Sequence, residues 1–430
     1  MKRYNLFFIF LILQVTSIAV KGQHEEVANH KVDPTANGKV YIITQAKASY
    51  KIDSARYAVF IPDGTTSING ILIHQHGCTM EGRGMATAYD LQYQAFAKKW
   101  KLAIVGPDLY AKNNCHDWKN PASGSADAFF TTLDQISVLA KIPSLKNAPW
   151  LLWGHSGGGY WSQAMMAAYP ERVMALFSYS PGLNASFNYP KAAMQVPVMI
   201  RYAGPEGDAC CWESAVRTFD ELRKGDGMVS IALTRYQHHN YSFVRYMAIP
   251  FFESVMQQRM PEKPGAGFIA MRKVNGSKAW LGDTASLNIY PEKRYPGEKL
   301  SASWLPDSLT AVKWREFIVT GTIVDRTAPP APYALKLVRR HNMTVELSWK
   351  ADADIESGIS HFNIYKGGHW VGRFPSSGVY QGFDTNGDDA MPLSLPELRT
   401  DINLPWNESS KISISTVNHF GLESAKTEFP

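Results

Sequence analysis

The sequence predicts an α/β chain: a doubly wound, mainly parallel sheet, then an irregular extension, then a small all-β sandwich. Three observations lead there. Between about residues 38 and 260, short apolar runs alternate with amphipathic stretches, the pattern of strands and crossover helices. From 261 to 327 that signal weakens, and Pro261, Pro264, Pro291, Pro296 and Pro306 punctuate short segments. At Ala328-Pro-Pro-Ala-Pro332 the composition breaks, and only strand patterns follow, to residue 430.

The elements of the first region follow from periodicity. Gly70–His74, Leu102–Val105, Trp150–Trp153, Val173–Tyr179, Val196–Tyr202 and Met228–Tyr236 are short apolar runs that read as buried strands. Met85–Trp100 reads as a helix, with Tyr89, Tyr93, Phe96 and Trp100 recurring at spacings of three and four. Ala126–Ala140 and Trp212–Arg223 show the same periodicity. Gly157–Tyr169 is a helix stopped by Pro170, and a last helix starts near Phe251. In the extension, Trp280, Trp304 and Trp314 are expected to pack on the first region. In the last hundred residues, Val345–Trp349, Phe362–Tyr365 and Lys411–Val417 alternate as strands, with turns at Gly358, Gly367, Gly368 and Gly421.

Composition narrows the function classes. With 45% hydrophobic and 19% charged residues over 430, the chain has the balance of a folded protein of two or three domains. The net charge is +6, and three of those positive charges are Lys2, Arg3 and Lys21 in a terminal segment. What is left is too weak to indicate nucleic acid as a partner. Residues 1–22 read as a secretory signal peptide: Lys2 and Arg3 precede an interrupted apolar run from Leu6 to Val20. The first cysteine is Cys78, so no lipobox is present, and no later segment is long enough for a membrane span. A secreted or periplasmic location is expected. Export would make Cys78, Cys115, Cys210 and Cys211 candidates for disulfides, with three pairings open. A pair between the adjacent Cys210 and Cys211 would strain the intervening peptide.

The chemistry is expected at Trp153-Gly-His-Ser-Gly-Gly-Gly159, which places Gly154-x-Ser156-x-Gly158 between a strand and a helix. Small residues two before and two after Ser156 let strand and helix approach, lifting its hydroxyl above the sheet. The Gly157 N–H at the helix start can then face an oxyanion. The bland alternative is a glycine-rich turn with an ordinary capping serine. A nucleophilic serine needs an acid and a histidine later in the chain, at strand ends. Asp208, in Gly204-Pro-Glu-Gly-Asp208, is the candidate acid, with Glu206 as alternative. His239, in Tyr236-Gln-His-His-Asn240, is the candidate base, with His238 as alternative. A second oxyanion donor is expected in the loop His74-Gln-His-Gly-Cys-Thr79, at the Cys78 N–H. His74 and His76 share a strand face and could meet one ion with Cys78, but no third ligand follows at metal spacing, so no metal or other cofactor is expected.

These motifs resemble the α/β-hydrolase superfamily over roughly residues 55–260. His76-Gly-Cys-Thr79, Pro107-Asp108 and Asn114-Cys-His-Asp-Trp118 are similar to motifs of secreted esterases of the polyhydroxybutyrate-depolymerase and feruloyl-esterase type. The histidine loop lacks the glycine–histidine pairing common there. The resemblance implies a serine esterase and neighbouring loops that bridge Cys78 to Cys115. The last hundred residues resemble a fibronectin type III domain, through the Leu347-Ser-Trp349 and Phe362-x-Ile-Tyr365 strands and Val417-Asn-His-Phe-Gly421.

The domain reading is therefore a leader (1–22), a hydrolase region (38–260), an extension (261–327) and a fibronectin type III-like module (328–430). The expected function is a secreted serine hydrolase of carboxylic esters. Only Ser180–Gln195 separates two strands where a lid would insert, so the site should be open and suit bulky or polysaccharide-borne esters. Tyr160, Trp161 and Trp118 could flank such a substrate. Alternatives are a peptidase or lactone hydrolase on the same triad, or an exported binding protein with an inactive hydrolase region. The C-terminal module could dock on a glycan or cell surface.

Overall fold

A strand that is apolar at every position needs cover on both faces, and this requirement organises the first region. The computed structural model describes residues 30–430 apart from 36, 47, 79–81, 183–186, 241, 261–270, 341–342, 382–396 and 404–410. The leader, Thr79, Pro261 and Pro264 fall outside the described residues. In chain order the first region comprises β1 (His30–Pro34), β2 (Gly38–Ala46), β3 (Ile52–Pro62), β4 (Gly70–Gln75), α1 (Arg83–Ala86), α2 (Leu91–Trp100), β5 (Leu102–Ala111), α3 (Cys115–Trp118), α4 (Ser125–Leu139), β6 (Trp150–His155), α5 (Gly157–Ala168), β7 (Val173–Tyr179), β8 (Val198–Tyr202), α6 (Gly204–Gly207), α7 (Trp212–Lys224), β9 (Val229–Leu233) and α8 (Arg245–Arg259).

The strands form one nine-stranded sheet in the order β1-β2-β3-β5-β4-β6-β7-β8-β9. From β5 to β9 the pairs are parallel, and β1, β2 and β3 add an antiparallel edge. The result is a mixed sheet with helices packed on both faces. Alternate residues of β6 feed opposite cores. Trp150 and Leu152 pack with Phe129 of α4, Trp161 of α5 and Phe219 of α7. Leu151 and Trp153 pack with Phe96 of α2 and Phe252 of α8. Trp150 and Trp153 are fully buried, and burial of an aromatic this large contributes on the order of 3 kcal/mol.

The strand order also places the site. From β4 the chain steps to β5 on one side, then returns past β4 to β6 and continues to β9. Connections leaving the carboxyl ends of the adjacent β4 and β6 therefore diverge, which opens a crevice at that point. The candidate Cys78 and Ser156 follow β4 and β6.

Several boundaries differ from the sequence reading for local reasons. The single helix expected over Met85–Trp100 is broken, because Asp90 is extended and its carboxylate accepts from the Gln92 and Tyr93 N–H groups, capping α2 afresh. β5 runs through Gly106 and Pro107, which mimic a strand end, because β3 pairs with it from Ile104 to Ala111. α8 begins six residues before Phe251 and carries Pro250 within it. The three antiparallel strands β1, β2 and β3 were not anticipated.

The segment expected to be irregular holds β10 (Trp280–Gly282), β11 (Ile289–Pro291), β12 (Ser303–Leu305) and α9 (Ser308–Thr320). It covers the free edge of β9. Ser303 Oγ accepts from the Ile231 N–H at 3.0 Å and donates to the Ile231 carbonyl, which also accepts from Trp314 Nε1 at 3.0 Å. Edge groups that would otherwise template pairing are thereby satisfied.

The remaining strands are β13 (Tyr333–Arg339), β14 (Thr344–Lys350), β15 (His361–Lys366), β16 (His369–Phe374), β17 (Arg399–Asn403), β18 (Ile412–Val417) and β19 (Thr427–Glu428). They form sheets β13-β14-β17 and β16-β15-β18-β19, with Val345, Leu347, Trp349, Phe362, Ile364 and Ile414 in a common core. Leu91 and Ala95 of α2 join that core. Arg245, buried on α8, donates to Asp90 at 2.9 Å, and Gln381 donates to the same carboxylate at 2.8 Å. The proline-rich joint is thus bridged by a buried polar seam. No helix among the described residues is long and apolar enough to cross a membrane.

Candidate active site

Ser156 sits between β6 and α5 with φ 52° and ψ −117°, a strained conformation for any residue with a side chain. It occupies the cap position of α5, yet its side chain makes no capping hydrogen bond. An ordinary capping serine would spend its oxygen there. The turn is held by the backbone: the Ser156 N–H donates to the Tyr179 carbonyl at 2.9 Å, and the Gly182 N–H donates to the Ser156 carbonyl at 2.7 Å.

Glycine is required on the far side of the turn. A Cβ on Gly158 would lie 2.2 Å from the Gln75 carbonyl oxygen and 2.4 Å from that of His76. A Cβ on Gly157 would lie 2.4 Å from Cys78 Sγ and 2.7 Å from Cys115 Sγ. The Cys78–Cys115 disulfide therefore rests directly on the residue after Ser156. It pins the loop after β4 over the start of α5, where the candidate oxyanion donors Gly157 and Cys78 come together.

The second half of the site comes from the ends of β8 and β9. Asp208, buried just beyond α6, faces His239, with Nδ1 to Oδ1 at 2.5 Å. Its other oxygen accepts from the Ala203 N–H at 3.4 Å. The His239 side chain is about a quarter exposed. Its neighbour His155 immediately precedes Ser156: His155 Nε2 donates to the His239 carbonyl at 3.1 Å, and the two rings lie 4.8 Å apart. Burial, and then the His239 charge, hold the His155 ring well below the usual histidine range, so it stays a neutral donor. Of the alternatives, Glu206 is exposed, and His238 turns its Nδ1 to the Asn240 N–H at 3.2 Å.

Arg201 on β8 holds the histidine loop and was not singled out in the sequence. It is fully buried, donates to the His238 carbonyl at 3.0 Å and Gln237 Oε1 at 2.9 Å, and lies over the Tyr179 ring. An arginine inside Val198-Met-Ile-Arg-Tyr202 was the available signal, since a fully buried arginine requires dedicated partners.

The cysteines pair as Cys78–Cys115 and Cys210–Cys211. The adjacent pair lies at the site, with Cys210 Sγ 3.7 Å from His239 Nδ1 and 3.9 Å from Asp208 Oδ1. Ligand spacing along the chain did not reveal this grouping, because its members come from two loops. The other grouping considered does not form an open ligand pair. His74 Nδ1 meets Thr87 Oγ1, whereas His76 Nδ1 donates to the Gly77 carbonyl and Nε2 accepts from the Leu109 N–H. Of the flanking aromatics, Trp118 and Trp161 are buried, Trp161 donating to Ser125 Oγ. Tyr160 remains partly exposed, 4.8 Å from Phe187 and 4.9 Å from the Lys119 ammonium.

A scan against protein-family models finds no match, and no curated protein sequence matches the chain. Solved structures do match. A thermostable esterase is 15% identical with a TM-score of 0.34 over 45% of this chain, which spans 54% of that protein's length. A cold-adapted esterase from an Arctic intertidal metagenomic library is 14% identical with a TM-score of 0.34, over 46% of this chain and 84% of its own. A dienelactone hydrolase from Anabaena variabilis is 16% identical with a TM-score of 0.29, over 44% and 82%.

Proposed function

We propose that the chain is a serine hydrolase of carboxylic esters. Ser156 is its nucleophile, His239 its general base and Asp208 the acid that orients the base. The observation that carries the reading is the 2.5 Å Asp208–His239 pair, whose histidine carbonyl accepts from His155, the residue before a strained serine whose hydroxyl is not used as a cap. In the first step Ser156 Oγ attacks the ester carbonyl, and His239 Nε2 takes its proton. Asp208, bonded to Nδ1, fixes the tautomer and steadies the imidazolium. The N–H groups of Gly157 and Cys78 stabilise the tetrahedral oxyanion. The imidazolium then returns its proton to the leaving alcohol. A water activated by the same base releases the acyl group from Ser156.

Only residues 180–197 separate β7 from β8, too few for a lid domain, so bulky or polysaccharide-borne esters are the substrate class we favour over lipids, with the C-terminal sheets serving as a fibronectin type III-like module that docks on glycan or cell surface. The leader-like residues 1–22 support export to a secreted or periplasmic location. The test is turnover on acetyl, feruloyl and short-chain esters by the wild type and Ser156→Ala. Loss of a triad nucleophile is expected to cost on the order of a thousandfold or more in kcat. A folded Ser156→Ala protein that keeps most of its activity overturns the assignment.

A further inference from the structure

We propose that reduction of Cys210–Cys211 creates a binding site for a thiophilic divalent cation of the zinc class, formed by Cys210, Cys211, Asp208 and His239, and that occupancy switches hydrolysis off. The binding stands on geometry alone. Its effect on turnover rests on the reading of Asp208 and His239 as acid and base.

One ligand atom from each of the four residues lies within 4.8 Å of the others. Cys210 Sγ is 3.7 Å from His239 Nδ1 and 3.9 Å from Asp208 Oδ1. Ligand atoms around a tetrahedral zinc ion with bonds of about 2.0–2.3 Å sit about 3.3–3.8 Å from one another. Cys210 Sγ is thus close to coordinating distance from the nitrogen and the carboxylate; the two sulfurs move apart once their bond is reduced, and the Asp208–His239 contact at 2.5 Å opens as the cation enters. The set of two sulfurs, one imidazole nitrogen and one carboxylate oxygen suits zinc rather than calcium or magnesium.

The oxidation state of the sulfurs controls the site. Thiolates ligate such ions, and a disulfide supplies none. A dithiol or phosphine reductant delivers two electrons to the bond, which becomes two thiols with uptake of two protons, while the reductant becomes the disulfide or phosphine oxide. Cation binding then expels the thiol protons. Cys210 is exposed, so the reductant can reach the bond, whereas Cys211 is buried.

Inhibition follows from which nitrogen is taken. A cation on His239 Nδ1 takes the position of the proton that Asp208 held there, and the ring's single proton moves to Nε2. Nε2 can no longer accept the proton of Ser156. Asp208, as a ligand, no longer orients the base. The loss therefore falls on kcat, with KM little changed.

The experiment treats the full-length protein with or without a phosphine reductant, maps the reduced pair by alkylation and mass spectrometry, and adds Zn2+ or Co2+. In the reduced protein, Zn2+ is expected to lower kcat at least about tenfold, reversed by a chelator, and Co2+ to give a thiolate charge-transfer band at one ion per chain. The oxidised protein should show neither. The double variant C210S/C211S keeps Cys78–Cys115 and, compared with its own zinc-free rate, should lose both responses after reduction. Cys210→Ala serves the same comparison if the double variant does not fold. The proposal is overturned by equal zinc sensitivity in the two redox states, by inhibition that survives in the variants, by the lack of a cobalt–thiolate band, or by a Cys210–Cys211 bond that the reductant leaves intact. The cobalt band is read without any substrate, so failure of the esterase assignment leaves the metal test standing.

Discussion

In the nine-stranded region, the buried polar side chains Asp208, Arg201 and His155 gather at the carboxyl ends of β6 and β8, around a serine that is only partly buried. In the C-terminal region, Asp354, Asn418 and Gln381 are equally buried, but they face the seam between the regions. Asn418 donates to Asp354 at 2.9 Å and to Asp325 of the extension at 3.0 Å, while Gln381 reaches Asp90 across the seam. The first network leaves a hydroxyl and an imidazole edge facing solvent, whereas the second spends the Asn418 and Gln381 amide donors on carboxylates inside the seam. Buried polarity that ends in an unspent group is equipped for chemistry. Buried polarity that is closed holds two surfaces together.

The largest effect that would break this contrast is at the acid. Asp208→Asn should lower kcat on the order of a thousandfold, because the amide stabilises the wrong imidazole tautomer. Glu206→Gln, at an exposed position, should stay within about twofold of the wild type. Steady-state kinetics on a small ester separates the two, and a crippled Glu206→Gln would move the acid.

Next in size is Arg201. Arg201→Met removes the donors to His238 and Gln237 and frees the loop that carries His239. A misplacement of about 1 Å there should cost on the order of a hundredfold in kcat with KM little altered. An unchanged kcat in a folded protein would reduce Arg201 to packing.

The smallest effect lies at the seam and should not touch kcat. His419 donates Nε2 to the Gln381 carbonyl, and burial, with Arg245 nearby, lowers its pKa to about 4. Between about pH 4 and 6.5 the unfolded chain binds a proton that the folded chain refuses, so this group's stability is present above pH 6.5 and lost as pH falls towards 4. Asp354, raised to about 6 mainly by burial, acts in the opposite direction, its share being lost as pH rises through 6. Asp354 is common to both proteins, so the Tm of the wild type minus that of His419→Gln should rise with pH across this window. A flat difference would mean that the seam does not exclude the charge.

The sequence was most legible where local rules and chain order agree. A strand, a glycine-flanked serine and a helix form one continuous signal, and acid and base candidates fall at later strand ends. The choice of His239 over His238 rested on loop position, and the structure brings His239, not His238, to Asp208. What escaped depends on partners distant in sequence. Asp90 looks like one more polar residue inside a helical period until its carboxylate caps α2 and binds Arg245. Arg201 reads as an interruption of an apolar strand, and Cys210 meets His239 only through the fold. The extension looked irregular because β10, β11 and β12 have three residues each, too short for a pattern to register.

The central claim is that Ser156 is activated by the Asp208–His239 pair, and covalent labelling tests it most directly. The full-length protein is treated with a fluorophosphonate probe, and the adduct is located by peptide mass spectrometry. The account predicts one adduct, on Ser156, whose formation slows on the order of a thousandfold in His239→Ala and hardly at all in His238→Ala. An adduct on another serine, no adduct on folded protein, or labelling of Ser156 that is indifferent to His239 would contradict it.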